Sequence, residues 1–205
     1  MKLYYAPGAC SLSPHIVLRE LGLPFGLEAV DLKTKRTAGG ADFAALNPKG
    51  YVPALQLEDD EVLTEGVAII QYLADKHAPG TLAPAAGTIE RARLNSHLNY
   101  LSAELHPAFG ALFNPALAPE AREAALAKLG RKLDVMETAF ADGRDHLLGA
   151  DFSIADAYLF VILSWAPMLR VDLARWPRLQ SFGARVATRA SVEAAMATEG
   201  LLKAA

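Results

Sequence analysis

Asn47-Pro48-Lys49-Gly50-Tyr51-Val52-Pro53-Ala54-Leu55, followed by Leu63-Thr64-Glu65-Gly66, is the stretch that decides the fold of the first half of this chain. Pro53 has no N–H to give to a sheet ladder, so it belongs at a strand entrance, and a cis Val52-Pro53 bond is expected there. Such a bond turns the preceding backbone N–H and C=O outward, where an extended peptide can pair with them. Ala54–Leu57 and Val62–Thr64 flank Glu58-Asp59-Asp60-Glu61 as a hairpin. Glu65-Gly66 then opens a helix whose first N–H groups have no partner in the helix and suit a carboxylate. Together these features point to a site for a small peptide with a free carboxylate.

Working outward, Lys2–Tyr5 reads as a strand and Ser13-Pro14 as a helix start, with Ser13 as N-cap and Pro14 at the first helical position. That helix ends at Gly22. Phe25–Asp31 returns as a strand, Lys33–Gly40 as a loop, Asp42–Leu46 as a short helix and Gly66–His77 as an amphipathic one. The order β-α-β-α-β-β-α is the thioredoxin-like arrangement, α/β in class, over residues 1–78. Residues 79–88 form a Pro/Gly/Ala-rich linker. Residues 89–205 predict an all-helical domain, with long runs at Ile89–Phe113 and Glu120–Ala141 and shorter outer helices at Trp176–Thr188 and Val192–Ala197. Ser153-Ile154-Ala155-Asp156 has the form of a capping box, and the helix it starts, Ile154–Leu169, is apolar on nearly every side and is expected at the centre.

Composition narrows the function classes. Hydrophobic residues make up 52% of the 205, yet charges interrupt them before any run reaches membrane-spanning length. The start goes directly into a strand pattern and lacks the apolar region of a signal peptide, so a cytoplasmic protein is expected. A net charge of −3 with scattered basic residues disfavours nucleic acid as a partner. The single cysteine, Cys10, excludes an internal disulfide and any cysteine-rich metal site, and the histidines show no ligand spacing, so no metal is expected.

Cys10 lies between the first strand and the first helix, where the helix N-terminus favours a thiolate. Ser11 and Ser13 add hydroxyl donors, and the C-x-x-S pattern lacks a resolving thiol, so redox chemistry there runs through a mixed disulfide with an external thiol. A small buried hydrophobe is the other reading of a lone cysteine.

The segments Tyr4–Ser11, Asn47–Leu55, Thr64-Glu65-Gly66, Glu104-Leu105-His106 and Phe152–Phe160 resemble, in order and over nearly the whole chain, the bacterial glutathione S-transferases, most closely the beta class. The resemblance implies glutathione as co-substrate and a homodimer. It implies that Val52, with Pro53 cis, pairs with the cysteinyl part of glutathione. Glu65 and Gly66 then hold the γ-glutamyl end, and Lys35 reaches the glycyl carboxylate. It places Cys10 and His106 at the sulfur, Tyr51 among the glutathione-binding residues, and the electrophile between Cys10, Tyr51 and the helix bearing His106, Pro107 and Phe113. Asn99 and Glu104 lie close to His106 and take part there or across the dimer interface. Ser11 is the alternative donor to the sulfur. Pro107, directly after His106, departs from the basic residue often found in the family, and predicts a kink in that helix.

These residues also have plainer readings. Lys35 belongs to a solvated run with Lys33 and Arg36, Glu65 is a first-turn acid worth about 0.3–1 kcal/mol to its helix, and His106 packs among leucines. The expected activity is transfer of the glutathione thiolate to a small hydrophobic electrophile. Thiol-disulfide exchange or reductive dehalogenation through Cys10, and non-catalytic binding of apolar ligands, stand as alternatives.

Overall fold

The computed structural model describes residues 1–202, so the last three residues of the expected helical domain lie outside it. The chain divides into two compact units. The first is Met1–Ala83 together with the chain from Thr188 onward, and the second is Pro84–Ala187.

The first unit is built on a five-stranded sheet in the order β3-β2-β1-β4-β5: β1 Lys2–Tyr5, β2 Gly26–Asp31, β3 Arg36–Thr37, β4 Ala54–Gln56 and β5 Val62–Thr64. β1 is central, parallel to β2 and antiparallel to β4, and Leu3 faces Leu27 on one side and Leu55 on the other. Flanked by paired strands and with Leu3 fully buried, β1 tolerates only an apolar aromatic run such as Leu3-Tyr4-Tyr5. β3 lies within the segment expected to be loop. Its two residues pair antiparallel with the end of β2, too short to leave a periodic signal.

α1 spans Leu12–Glu20, α2 Phe43–Leu46 and α3 Gly66–His77. Gly22, at φ +63°, ends α1 as expected: its N–H donates to Arg19 O, and the Leu23 N–H to Leu18 O. The start of α1 differs from the expectation. Ser13 lies inside the helix, buried, with no hydrogen-bond partner for its Oγ, so it does not cap. Val52 and Ala54 pack with Tyr4, Ala6, Val30 and Phe43, which ties the loop before β4 into the core.

The last helix, α9 (Ala190–Thr198), was expected in the helical domain but belongs to the first unit, packed along α1. Part-buried and buried polar contacts hold it there. The carboxylate of Glu20 takes hydrogen bonds from Arg189 and Ser191, and Glu199 lies against His15.

The second unit contains α4 Ile89–Tyr100, α5 His106–Gly110, α6 Pro119–Ala139, α7 Ile154–Ser164 and α8 Pro177–Ala187. The run expected as one helix over 89–113 is interrupted by a π-turn at Leu101–Leu105, where the His106 N–H donates to Leu101 O, five residues back. Pro107 supplies the cause: it has no N–H, and its ring clashes with the carbonyl four residues earlier, so the ladder widens ahead of it. α7 is buried from Ile154 to Leu163. Its capping box forms as read: Asp156 Oδ2 accepts from the Ser153 N–H at 2.8 Å and from the Ser153 hydroxyl at 2.6 Å, while Oδ1 accepts from the Leu147 N–H at 2.8 Å.

Candidate functional site

The loop Ala6–Ser11 carries Cys10 from β1 to the first turn of α1. Ser11 shapes that loop. Its buried Oγ accepts from the Ala6 N–H at 3.1 Å and donates to Ala6 O at 3.2 Å. Its one hydroxyl proton is therefore already given to a carbonyl, which corrects the expectation that Ser11 donates to a sulfur. The Cys10 thiol donates to Val52 O at 3.4 Å. Burial pushes its pKa up to about 11, against the pull of the Cys10 and Ser11 amides, and the Glu65 charge adds to the rise. Desolvation thus outweighs the helix end, and Cys10 is a protonated hydrogen-bond donor near neutral pH rather than the expected thiolate.

Asn47 organises the segment that precedes β4. It is buried, its Nδ2 donates to Tyr51 O at 2.7 Å, and its Oδ1 accepts from the Lys49 N–H at 3.2 Å. This closes the turn over Gly50, at φ +66°, and delivers Val52 to its cis bond with Pro53. Lys35 comes to the same turn from the loop after β2: its ammonium donates to Gly50 O at 2.8 Å and lies 5.5 Å from the centroid of the Tyr51 ring. Tyr51 itself is 73% exposed. Lys35 is thus a placed cation beside an accessible aromatic face, not a freely solvated one.

Glu65 and Gly66 stand at the start of α3. Glu65 adopts φ +69°, ψ +111°, a backbone conformation that costs a non-glycine residue on the order of 1–3 kcal/mol and tends to mark functional positions. Its carboxylate caps no N–H of its own helix and instead receives the Lys49 ammonium at 2.6 Å, which also donates to Thr64 Oγ1 at 3.1 Å. Sequence reasoning missed Lys49 and Asn47 as parts of this arrangement. A lysine in a turn carries no pattern, and the amide of Asn47 acquires its meaning only from backbone groups two and four residues ahead. A Cβ added at Gly66 would lie 3.5 Å from Pro53 Cγ, so the helix start sits directly against the strand entrance.

The remaining expected residues lie in the second unit. His106 is half-buried, with Nδ1 2.6 Å from Tyr158 Oη and its ring 4.8 Å from that of Trp165. Burial lowers its pKa below the ordinary histidine value, so the ring is neutral at pH 7. Phe109 and Phe113 also meet Trp165 edge-on, leaving Phe113 45% exposed at an aromatic surface. Asn99 and Glu104 do not meet His106. Asn99 is exposed and donates back to Asn95 O, and Glu104 pairs with Lys132 at 2.5 Å. Among the described residues no group of three or more His, Cys, Asp or Glu is placed to hold a metal ion, and no helix is long and apolar enough to cross a membrane.

Comparison with known proteins agrees with this geometry. The family profile "Glutathione S-transferase, N-terminal domain" matches residues 8–76, and "Glutathione S-transferase, C-terminal domain" matches residues 119–182. Glutathione S-transferase GstA of Escherichia coli O157:H7 is 45% identical over 202 residues, covering 98% of this chain and 100% of that protein. A sphingomonad glutathione S-transferase complexed with glutathione is 46% identical with a TM-score of 0.93, over 98% of this chain and 100% of that one. The beta-class glutathione S-transferase of Sphingomonas chungbukensis is 45% identical with a TM-score of 0.93, again over 98% and 100%. With both family domains in order and relatives alike along their full length, the chain belongs to the glutathione S-transferase family, and its similarity runs to the bacterial beta class.

Proposed function

We propose that this protein is a glutathione transferase, which binds reduced glutathione and delivers its thiolate to a small hydrophobic electrophile. The observation that carries the reading is one continuous strip within the first unit. The Cys10 thiol meets Val52 O, Val52 leads through the cis bond to Pro53, and Pro53 abuts Gly66 at the start of α3. A tripeptide laid along that strip has its γ-glutamyl ammonium at Glu65 and its α-carboxylate at the Gly66 N–H. Its cysteinyl backbone lies at Val52 and its glycyl carboxylate at Lys35. The sulfur then lies near Cys10, whose neutral thiol turns its one proton from Val52 O to the sulfur when glutathione is bound. His106 is the second group assigned to the sulfur, and the ring cluster of His106, Phe113 and Trp165 suits an aromatic or halogenated electrophile.

The protonated state of Cys10 favours conjugation over a mixed disulfide through Cys10, since the thiolate is the attacking species in exchange. The protein acts as a homodimer in the cytoplasm and serves detoxification, in keeping with the family. Asn99 and Glu104, paired with Asn95 O and Lys132 rather than with His106, are assigned to a neighbouring subunit's ligand. Thermal unfolding with and without reduced glutathione, on wild type and Glu65→Ala, tests the reading. Ligand at a hundred times its Kd stabilises by about 2.7 kcal/mol. A rise in wild type that disappears in the variant supports the site, and no rise in wild type overturns it.

A further inference from the structure

His106 has a buried phenol as its hydrogen-bond partner. Tyr158 is 6% exposed on α7, the helix whose start is fixed by the Ser153–Asp156 capping box, so its hydroxyl is held by one of the most constrained elements of the second unit. Its Oη lies 2.6 Å from His106 Nδ1, with the two rings edge-to-face at 73° and centroids 5.9 Å apart. Trp165 packs on His106 as well, so the imidazole is held by a ring contact and a hydrogen bond together.

That bond has two possible polarities. A neutral imidazole has one donor and one acceptor nitrogen, and whichever role Nδ1 takes, Nε2 takes the other. A phenol is a far stronger acid than a neutral imidazole N–H, and a neutral ring takes the phenolic proton as acceptor more readily than it gives its own. The short O···N separation fits the same polarity.

We infer that Tyr158 is a positioning residue that donates its hydroxyl proton to His106 Nδ1, and thereby fixes His106 as the Nε2–H tautomer, a hydrogen-bond donor at the nitrogen left for the sulfur to which the transferase reading assigns it. The functional half rests on the transferase reading, while the tautomer stands on the geometry of the second unit alone. No proton is transferred and no bond changes: Tyr158 decides which ring nitrogen carries the hydrogen, and so whether His106 offers the sulfur a donor or a repelling lone pair. A buried carboxylate that orients the histidine of a serine-protease triad follows the same logic, with a phenol here in the carboxylate's place and with the opposite tautomer as the result.

The test uses the full-length protein with 15N-labelled histidine, the His106 signals being assigned by their loss in His106→Asn. In wild type near pH 7.5 the expected pattern is a protonated Nε2 and an unprotonated Nδ1. In Tyr158→Phe, which keeps the ring packing, both signals shift toward the average of a tautomer mixture. With glutathione and 1-chloro-2,4-dinitrobenzene, Tyr158→Phe is expected to lower kcat about tenfold while KM for glutathione stays within about twofold. In the His106→Asn background the same change is expected to cost less than about twofold, because the group it acts through is gone. A protonated Nδ1 in wild type overturns the inference. So does an unchanged kcat in Tyr158→Phe, or an equal loss in both backgrounds. Absence of turnover in wild type overturns the transferase reading instead, and the ring signals then decide the tautomer by themselves.

Discussion

His15 Nδ1 lies 2.7 Å from Glu199 Oε1, with both side chains fully buried, and this pair joins α1 to the C-terminal cap of α9 in the first unit. Glu199 Oε2 also accepts from the Gly8 N–H at 2.9 Å, in the loop that presents Cys10. Arg19 Nε donates to His15 Nε2 at 3.0 Å, which fixes His15 with its proton on Nδ1 and directs it at the carboxylate. Removing the buried carboxylate leaves both of its donors unsatisfied. Glu199→Ala is expected to destabilise by about 3–5 kcal/mol, read as a lower urea midpoint at constant m. Glu199→Gln keeps an acceptor for Gly8 but gives His15 a donor, forcing the tautomer that clashes with Arg19. Its loss should be intermediate. A Glu199→Ala protein as stable as wild type would show that the pair contributes nothing.

Cys10 yields a prediction in pH. Its folded-state pKa is raised to about 11, above the ordinary thiol value, so the folded protein holds the proton more tightly than the unfolded chain. By linkage its stabilising contribution is complete below pH about 8.5 and is lost as pH rises toward 11. Alkylation of Cys10 by iodoacetamide should accordingly be slow at pH 7.5 and still be accelerating between pH 9 and 11. A rate that levels off below pH 8 would mean a thiolate at neutral pH and would reopen the mixed-disulfide chemistry.

Asn47→Ala removes the donor to Tyr51 O and the acceptor for the Lys49 N–H. Loss of the buried bond from Asn47 to Tyr51 should cost about 1–3 kcal/mol of stability. Because Lys49 and Val52 flank the loosened turn, glutathione affinity should fall by more than in a variant of equal stability elsewhere. Calorimetric titration against such a stability-matched control separates the two effects.

Asp156→Ala and Ser153→Ala test the capping box unequally. Loss of a serine N-cap costs about 1 kcal/mol. Asp156 accepts three hydrogen bonds, including one from Leu147, so its removal should cost several times more. Comparable melting temperatures for the two variants would show that the Leu147 contact carries no weight.

Much of this protein is legible along the chain. Pro53 at a strand entrance, Gly22 at a helix end and Ser153-x-x-Asp156 before an apolar run each act through backbone chemistry within a few residues, so a linear pattern suffices. The strand β3 and the partner of α9 escaped, the first because it is too short to have a period and the second because it is decided by groups distant in sequence, while the π-turn is the form taken by the kink expected at Pro107. The pairing of Glu20 with Arg189 and Ser191 spans about 170 residues, and no local rule reaches that far.

The site divides the same way. By itself the sequence determined which groups are present and their order along the chain: a thiol before a helix, Val52-Pro53, then Glu65-Gly66. Only the tertiary structure decided what those groups are chemically. Position in the chain predicts a thiolate at Cys10, and burial makes it a thiol. Ser11 reads as a donor, and Ala6 takes its proton. His106 reads as one histidine among leucines, and Tyr158, 52 residues away, takes its Nδ1. Protonation and hydrogen-bond direction depend on solvent exclusion and on through-space neighbours, which exist only once the chain has folded.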